Sequence, residues 1–399
     1  MKKKVVIIGA GYAGSCFAKM FSRNYSVAIL EKEKVPGGLC RSYYLDGMTY
    51  EFGPHILANH NCSQKAINFI KNNVSSVKTS MTSASFVRGK FTYYPPCKKN
   101  AELLNVQDQV EQDLKGLPEI PREDNFENYL IDKVGQTLYE IYFKEFTEKF
   151  WKVKSVMLSA EWAKVRHLGD SLTDKRIFFN KKWCAYPKKD WNELFKNLLK
   201  GIDVRYNTAV ERIDFNAQEV IIKNGERIKY DLLLSTLSID ELFENRLGQL
   251  RYSGYEIAPK ILRQDCYASF NSKPISMTYF PEKRYPYTRI TDYKTFQKKD
   301  KSSAYHGRII VTVETPSKKH KLYPFMDEAN ETLFDDYVRI ASDHPQVISL
   351  GRKGLYKYLT IDTTTEMILR LRKYLVGWDR LNPSKRYKAY QEIRGDWSN

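Results

Sequence analysis

A run of β-branched residues, Val5 to Ile8, opens the chain without polar interruption, the pattern of a strand buried on both faces of a parallel sheet. Directly after it Tyr12, Cys16 and Met20, with Ala13, Phe17 and Phe21, recur at helical spacing, and "SVAILEK" (26–32) returns as a second strand. Strand, helix and strand together predict a βαβ unit with a right-handed crossover. Between Asp124 and Trp151 the apolar residues Leu130, Val134, Leu138, Tyr142, Phe146 and Phe150 repeat every four places, which predicts one long amphipathic helix packed on other helices. "SFVRGKFTYYPP" (85–96) reads as a hairpin. "EVIIKNGERIKYD" (219–231) reads as another, with Asn224 and Gly225 supplying the positive φ angles of a two-residue turn before the buried strand "LLLSTL".

From 250 to 315 the runs "CYASF", "ISMTYF" and "GRIIVTVET" alternate or carry aromatics between Pro and Gly breaks, as antiparallel strands with one wet face do. "QVISLGR" is a further buried strand, and Thr363 with Glu366 has capping-box spacing ahead of a helix. The last stretch, "NPSKRYKAYQEIRGDWSN", is polar and expected to be a loosely held tail.

A length of 399 residues exceeds what one core fills, and 42% hydrophobic with 14% aromatic residues suffices for two or three subdomains. No apolar run is long enough to span a membrane, and the basic start leading straight into a strand speaks against a secretory signal, so the cytoplasm is expected. The six cysteines show no CxxC pair and the six histidines no HExxH pattern, so neither a disulfide framework nor a metal site is expected. A net charge of +18 draws anions, but the basic residues lie in short scattered groups without a nucleic-acid-binding pattern. A diphosphate ligand fits better than nucleic acid.

Gly9, Gly11 and Gly14 form GxGxxG between the first strand and its helix: one glycine for the tight turn, one for pyrophosphate approach, one for helix-on-strand packing. The phosphates are expected on the helix N-terminus, and Glu31 at the end of the second strand is expected to accept from a ribose. A second glycine pair, Gly37 and Gly38 in "KEKVPGGLCRS", favours FAD over NAD, because it brings backbone toward the flavin-side phosphate and ribose. The helix after "SLGR" points the same way, its N-terminus able to stabilise reduced flavin, with the charge of Asp362 arguing slightly against.

With these motifs, "YEFGPHI" (50–56), "FTEKFW" (146–151), "YPYTRITDYKTF" (285–296), "LYP" and "GRKGLYKY" (351–358), the chain resembles the UDP-galactopyranose mutases over most of its length, to about Leu375. The resemblance implies an α/β fold: a discontinuous Rossmann-type FAD-binding domain (1–78, 190–245, 340–377), a helical substrate-loop insert (98–170), an antiparallel β-sheet domain (79–97, 171–189, 246–339) and the polar tail (378–399). It implies a mutase in which reduced flavin bonds through nitrogen 5 to an anomeric carbon as the diphosphate leaves, so that a nucleotide sugar changes ring form without net oxidation. NADH or NADPH is the expected reductant, a UDP- or dTDP-sugar for surface polysaccharide the expected substrate, and a homodimer the expected assembly.

Carried over by the resemblance, His55, Arg166 and Arg289 are the candidate catalytic residues. The two arginines match diphosphate ligands, whose planar forks suit phosphate. His55, with Gly53 and Pro54, matches the loop beside flavin nitrogen 5, and Arg352 matches a flavin contact. Tyr323 and Tyr358 match tyrosines that hydrogen-bond the phosphates. Trp151 matches the aromatic of a mobile substrate loop, and the segment from Phe146 carries the base. Without the resemblance, the arginines read as surface ion-pair residues and Trp151 as core.

The chain also departs from the family. Phe146 and Phe178 stand where tyrosines face nucleotide and sugar, Ala58 replaces a second histidine, and Thr360 replaces an acid, with Asp362 displaced by two. A sugar other than galactose, deoxy or amino, is therefore expected. Two other readings remain: a net redox flavoenzyme of the amine-oxidase or desaturase type, which needs no paired phosphate arginines, and a binding protein that has lost the chemistry.

Overall fold

Lys4–Ile8, exposed only at its first residue, lies at the centre of a five-stranded sheet. The computed structural model describes residues 2–170, 184–266, 268–296 and 305–395. The strand order across this sheet is Asp203–Arg205, Ser26–Leu30, Lys4–Ile8, Leu232–Ser235 and Val347–Ser349, every pair parallel. Helix Tyr12–Phe21 packs on it closely because Gly14 has no side chain: a Cβ there would stand 2.1 Å from the Gly9 carbonyl oxygen. The sheet's strands and covering helices bury one apolar core, from Val5 through Leu234 to Ile368 and Ile393.

The second sheet has seven strands, in the order Tyr323–Pro324, Tyr252–Arg263, Arg308–Ser317, Arg289–Asp292, Met277–Tyr279, Ser83–Val87 and Lys90–Tyr93. It is mixed and not wholly antiparallel: Met277–Tyr279 pairs in parallel with Ser83–Val87, because the 83–93 hairpin comes from a distant chain segment and joins the edge in the same direction. Cys184–Pro187, expected in this sheet, instead pairs with Leu57–Ala58 and Ser76–Lys78.

Four further expectations are corrected. The long helix is broken: Phe126–Val134 stops at Gly135, with φ +82°, and the chain resumes through Gln136–Tyr139, a π-helical stretch Glu140–Lys144 and the helix Glu145–Trp151. The hairpin loop of 219–229 has three residues, Lys223 to Gly225, and only Gly225 has positive φ; the Ile222 N–H reaches the Glu226 carbonyl across it. The helix Ile361–Leu375 is capped one turn earlier than expected, by a Thr360–Thr363 box, while Glu366 accepts from the Ser63 N–H at 2.9 Å. The polar tail is a docked helix, Pro383–Arg394, capped by Asn382, with Ala389, Tyr390 and Ile393 buried; the Tyr390 hydroxyl accepts from the Ser349 N–H at 3.0 Å. Three apolar residues on one face, at 389, 390 and 393, are enough to seat it against the core. Among the described residues no helix is long and apolar enough to cross a membrane.

Candidate functional site

The glycine loop forms one wall. Gly9 turns with φ +97°, and a Cβ on it would strike the Thr236 hydroxyl at 2.3 Å. Gly11, by contrast, faces open space, with nothing within 4 Å of where a Cβ would point, and it starts helix Tyr12–Phe21 without a side-chain cap. A tightly packed loop with one open glycine at an uncapped helix N-terminus is a cradle for a pyrophosphate, so the residues fit a dinucleotide. Gly37 bridges to Gly11, and Gly38 lies against it, so the two glycine pairs make one surface. The buried Glu31 carboxylate accepts from the N–H groups of Ala10 (2.7 Å) and Glu33 (2.9 Å), which fixes it at the cradle's edge with lone pairs left for a ribose.

The segment Glu51 to His55 leads from this wall to the second sheet. Gly53 takes φ +81°, and a Cβ on it would lie 2.1 Å from the Tyr255 hydroxyl, so only glycine fits against that tyrosine, with Arg289 Nη2 at ordinary contact distance, 3.6 Å, beyond. Fully buried Glu51 accepts from the His55 N–H at 2.7 Å, contacts His55 Nδ1 at 3.1 Å and receives the Tyr186 hydroxyl. Burial pushes the His55 imidazole down, but Cys40 and then Glu51 outweigh it and raise its pKa to about 10.

Beyond Gly53 opens a narrow cleft walled largely by aromatic side chains. Arg166, Arg289, Tyr323, Phe146 and Trp151 all line it, from segments over 170 residues apart. Arg166 Nη1 donates to the Tyr358 hydroxyl at 2.9 Å, and the Tyr358 and Tyr323 rings stack at 5.6 Å. Arg352 lies 4.7 Å from the Tyr358 ring and spends its guanidinium on the carbonyls of Leu359 and Leu322, holding the tyrosine pair from behind. Burial raises the Tyr358 hydroxyl, yet Arg166, Arg352, Arg289 and His55 together win and bring its pKa below that of free tyrosine.

Arg289 is not a surface ion-pair residue. It makes a bidentate pair with Glu314, Nε to Oε1 at 2.9 Å and Nη2 to Oε2 at 2.8 Å, with Glu314 only 2% exposed. Nη1 is turned toward Tyr279, 3.4 Å from its hydroxyl. Phe146 is half-buried on the wall, and Trp151 ends its helix almost fully buried against Phe150, Trp162 and Phe325. Trp151 is here a packed wall residue at the end of a helix. Phe178 lies outside the described residues. The displaced acid finds a displaced partner: His60, two residues past Ala58, contacts Asp362, two residues past Thr360, at 2.8 Å through Nδ1. Burial raises the Asp362 carboxyl, but the His60 contact outweighs it and holds it below its usual range.

Sequence reasoning missed most of the remaining wall, five residues of which bear on the chemistry. Tyr94 and Tyr279 stack at 3.8 Å and form the floor with Arg289. Trp162, Glu314 and Ser85 complete it, and the fully buried Ser85 hydroxyl has no hydrogen-bond partner. Glu314 alone had a visible signal, a carboxylate on the inward face shared by Ile310 and Thr312 in an apolar strand.

The family model of UDP-galactopyranose mutase matches residues 141–358, the stretch that supplies nearly every wall of this cleft. The chain belongs to the UDP-galactopyranose mutase family. A model of the NAD(P)-binding Rossmann-like domain matches residues 7–72. Among curated proteins, the chain is 22% identical to the dTDP-fucopyranose mutase of Escherichia coli, over 90% of this chain and 94% of that one. It is 24% identical to the probable UDP-galactopyranose mutase of Klebsiella pneumoniae, over 92% and 93%. The crystal structure of reduced UDP-galactopyranose mutase superposes with a TM-score of 0.75 at 18% identity, covering 97% and 99% of the two chains, which shows a shared fold. Similarity to a phytoene desaturase of Myxococcus xanthus is confined to 14% of this mutase-family chain.

Proposed function

We propose that this chain is an FAD-dependent mutase that interconverts the pyranose and furanose forms of a nucleoside-diphosphate sugar for surface polysaccharide. The observation that carries the reading is the meeting of Arg166 and Arg289 in one aromatic-walled cleft, a Cβ's distance from the Gly53 to His55 loop. Reduced FAD, when bound on the glycine cradle, would supply an electron-rich nitrogen as the nucleophile for this chemistry. The chain's own residues do the rest. Arg166 and Arg289 take the charge of the departing diphosphate and keep it in place for return, and the Tyr323 and Tyr358 hydroxyls donate to the same oxygens. The walls built by Tyr94, Tyr279, Trp162 and Trp151 keep water from the exposed carbon. Phe146 packs under the base, and Gly9, Gly11, Gly14, Glu31, Gly37 and Gly38 hold the cofactor.

The substrate we favour is a dTDP-linked deoxyhexose. Phe146 lacks a hydroxyl that would bond a sugar or ribose oxygen, and a relative aligned nearly end to end carries the name dTDP-fucopyranose mutase. The assay incubates dithionite-reduced holoenzyme with a panel of UDP- and dTDP-hexopyranoses and separates the products by chromatography, with cyanoborohydride trapping and mass spectrometry to detect a sugar carried on flavin. Conversion without oxygen uptake supports the mutase; a panel left wholly unchanged, or steady oxygen uptake with turnover, refutes it. The same reading includes a cytoplasmic homodimer reduced by NADH or NADPH, which gel filtration and anaerobic flavin bleaching test.

A further inference from the structure

Lys149 is 7% exposed on helix Glu145–Trp151, and among the described residues no carboxylate contacts its ammonium. Instead four carbonyl oxygens of one turn converge on Nζ: Phe280 at 2.6 Å, Glu282 at 3.0 Å, Tyr285 at 3.1 Å and Tyr287 at 2.9 Å. Carbonyl oxygens aimed at a common point repel one another unless a cation sits among them, so the turn's backbone conformation depends on this charge. Burial pulls the ammonium's pKa down to about 8, with Glu145 and Glu282 opposing and Lys152 reinforcing, which leaves it charged at neutral pH. Among the described residues, the turn's other hydrogen bonds to the helix are the Lys283 N–H to Glu145 (2.8 Å) and an exposed Lys283 to Glu148 ion pair.

Two residues beyond Tyr287 stands Arg289. Pro281, Thr288 and Arg289 line the cleft from the turn side, while Phe146, Phe150 and Trp151 line it from the helix that carries Lys149. Resting on the function proposed above, we propose that Lys149 is a positioning residue that seats Arg289 against the aromatic wall and thereby sets the grip on the diphosphate.

The test is a double-mutant cycle, Lys149→Met and Arg289→Met singly and together, read as UDP and dTDP affinity of the oxidised holoenzyme by calorimetry and as kcat and KM on whichever nucleotide sugar is turned over. Lys149→Met should weaken nucleotide binding at least tenfold and raise KM more than it lowers kcat. In the Arg289→Met background the same change should cost less than about twofold, because a residue acting through Arg289 is non-additive with it. Lys149→Arg, which keeps a cation among the carbonyls, should recover most of the affinity. If Met at 149 prevents folding, Lys149→Gln carries the same cycle. Nucleotide affinity unchanged in the Lys149 variant, or a loss that adds in full to that of Arg289→Met, overturns this proposal alone. A wild type that binds neither nucleotide overturns the functional reading and this proposal with it.

Discussion

Replacing Arg289 by methionine separates what the residue does for the fold from what it does for a ligand. The wild-type guanidinium makes two short bonds to a carboxylate that is 2% exposed, and among the described residues no other cation contacts that carboxylate. Removing one member of a buried pair leaves an uncompensated charge and costs about 3–5 kcal/mol. Chemical denaturation should show a loss of that size for Arg289→Met. Replacing Glu314 by methionine as well removes the stranded charge, since an apolar pair of similar volume is often neutral. Stability should return to within about 1–2 kcal/mol, the remainder reflecting the Thr291 hydroxyl, 3.2 Å from Glu314, left without its acceptor. Nucleotide binding should not return. A charge-assisted bond to phosphate is worth about 1.5–3 kcal/mol, so UDP or dTDP should bind roughly 10- to 150-fold more weakly to both the single and the double variant. An Arg289→Met protein as stable as wild type refutes the buried-pair argument; a double variant that regains nucleotide affinity refutes the assignment of Arg289 to the diphosphate.

Three further outcomes are expected. Tyr358 ionises below the pKa of free tyrosine, so as pH rises toward 10 an anion forms beside the arginines and nucleotide affinity should fall; Tyr358→Phe should shrink that alkaline fall in a calorimetric pH series, leaving the part that follows loss of the Lys149 charge. Gly11→Ala should fold and unfold as wild type but purify colourless, its methyl occupying the open cradle, whereas Gly14→Ala should fail to accumulate as soluble protein because the methyl meets the Gly9 carbonyl. Ending the chain at Asn382 removes the buried Tyr390 and Ile393 and uncovers Trp378, and should lower the denaturation midpoint by an amount equivalent to roughly 3 kcal/mol or more.

Four strands of the parallel sheet were legible because they read as apolar runs, whereas the edge strand Asp203–Arg205, short and flanked by charge, was not; the glycine cradle was legible because each glycine answers a separate steric demand. The helical insert was misread in an instructive way. A repeat of strictly four residues drifts about 40° per step around an α-helix, so six such positions cannot share one face of an unbroken one. The break at Gly135 and the wider π-helical stretch reset the rotation, which is how Leu130, Leu138 and Tyr142 all reach the core. The spacing held that information, and the glycine marked the place. The cleft itself was visible only through family resemblance: Arg166, Arg289 and Tyr358 meet through tertiary structure, and no periodicity links them. Tyr94 and Tyr279 were hidden among 28 tyrosines, and Lys149 among 65 basic residues, because neither type announces burial.

The order of strands in the parallel sheet has a consequence for biosynthesis. Of the sheet's strands Lys4–Ile8 leaves the ribosome before the others, and the edge strand Val347–Ser349 emerges some 340 residues later. At about 5–20 residues per second, the edge of Leu232–Ser235 stands unpaired while the last third of the chain is made, an interval on the order of 6–25 s. Nascent chains stalled in that window present a bare hydrophobic edge, so the yield of intact protein should depend on how long translation takes to reach the last strand.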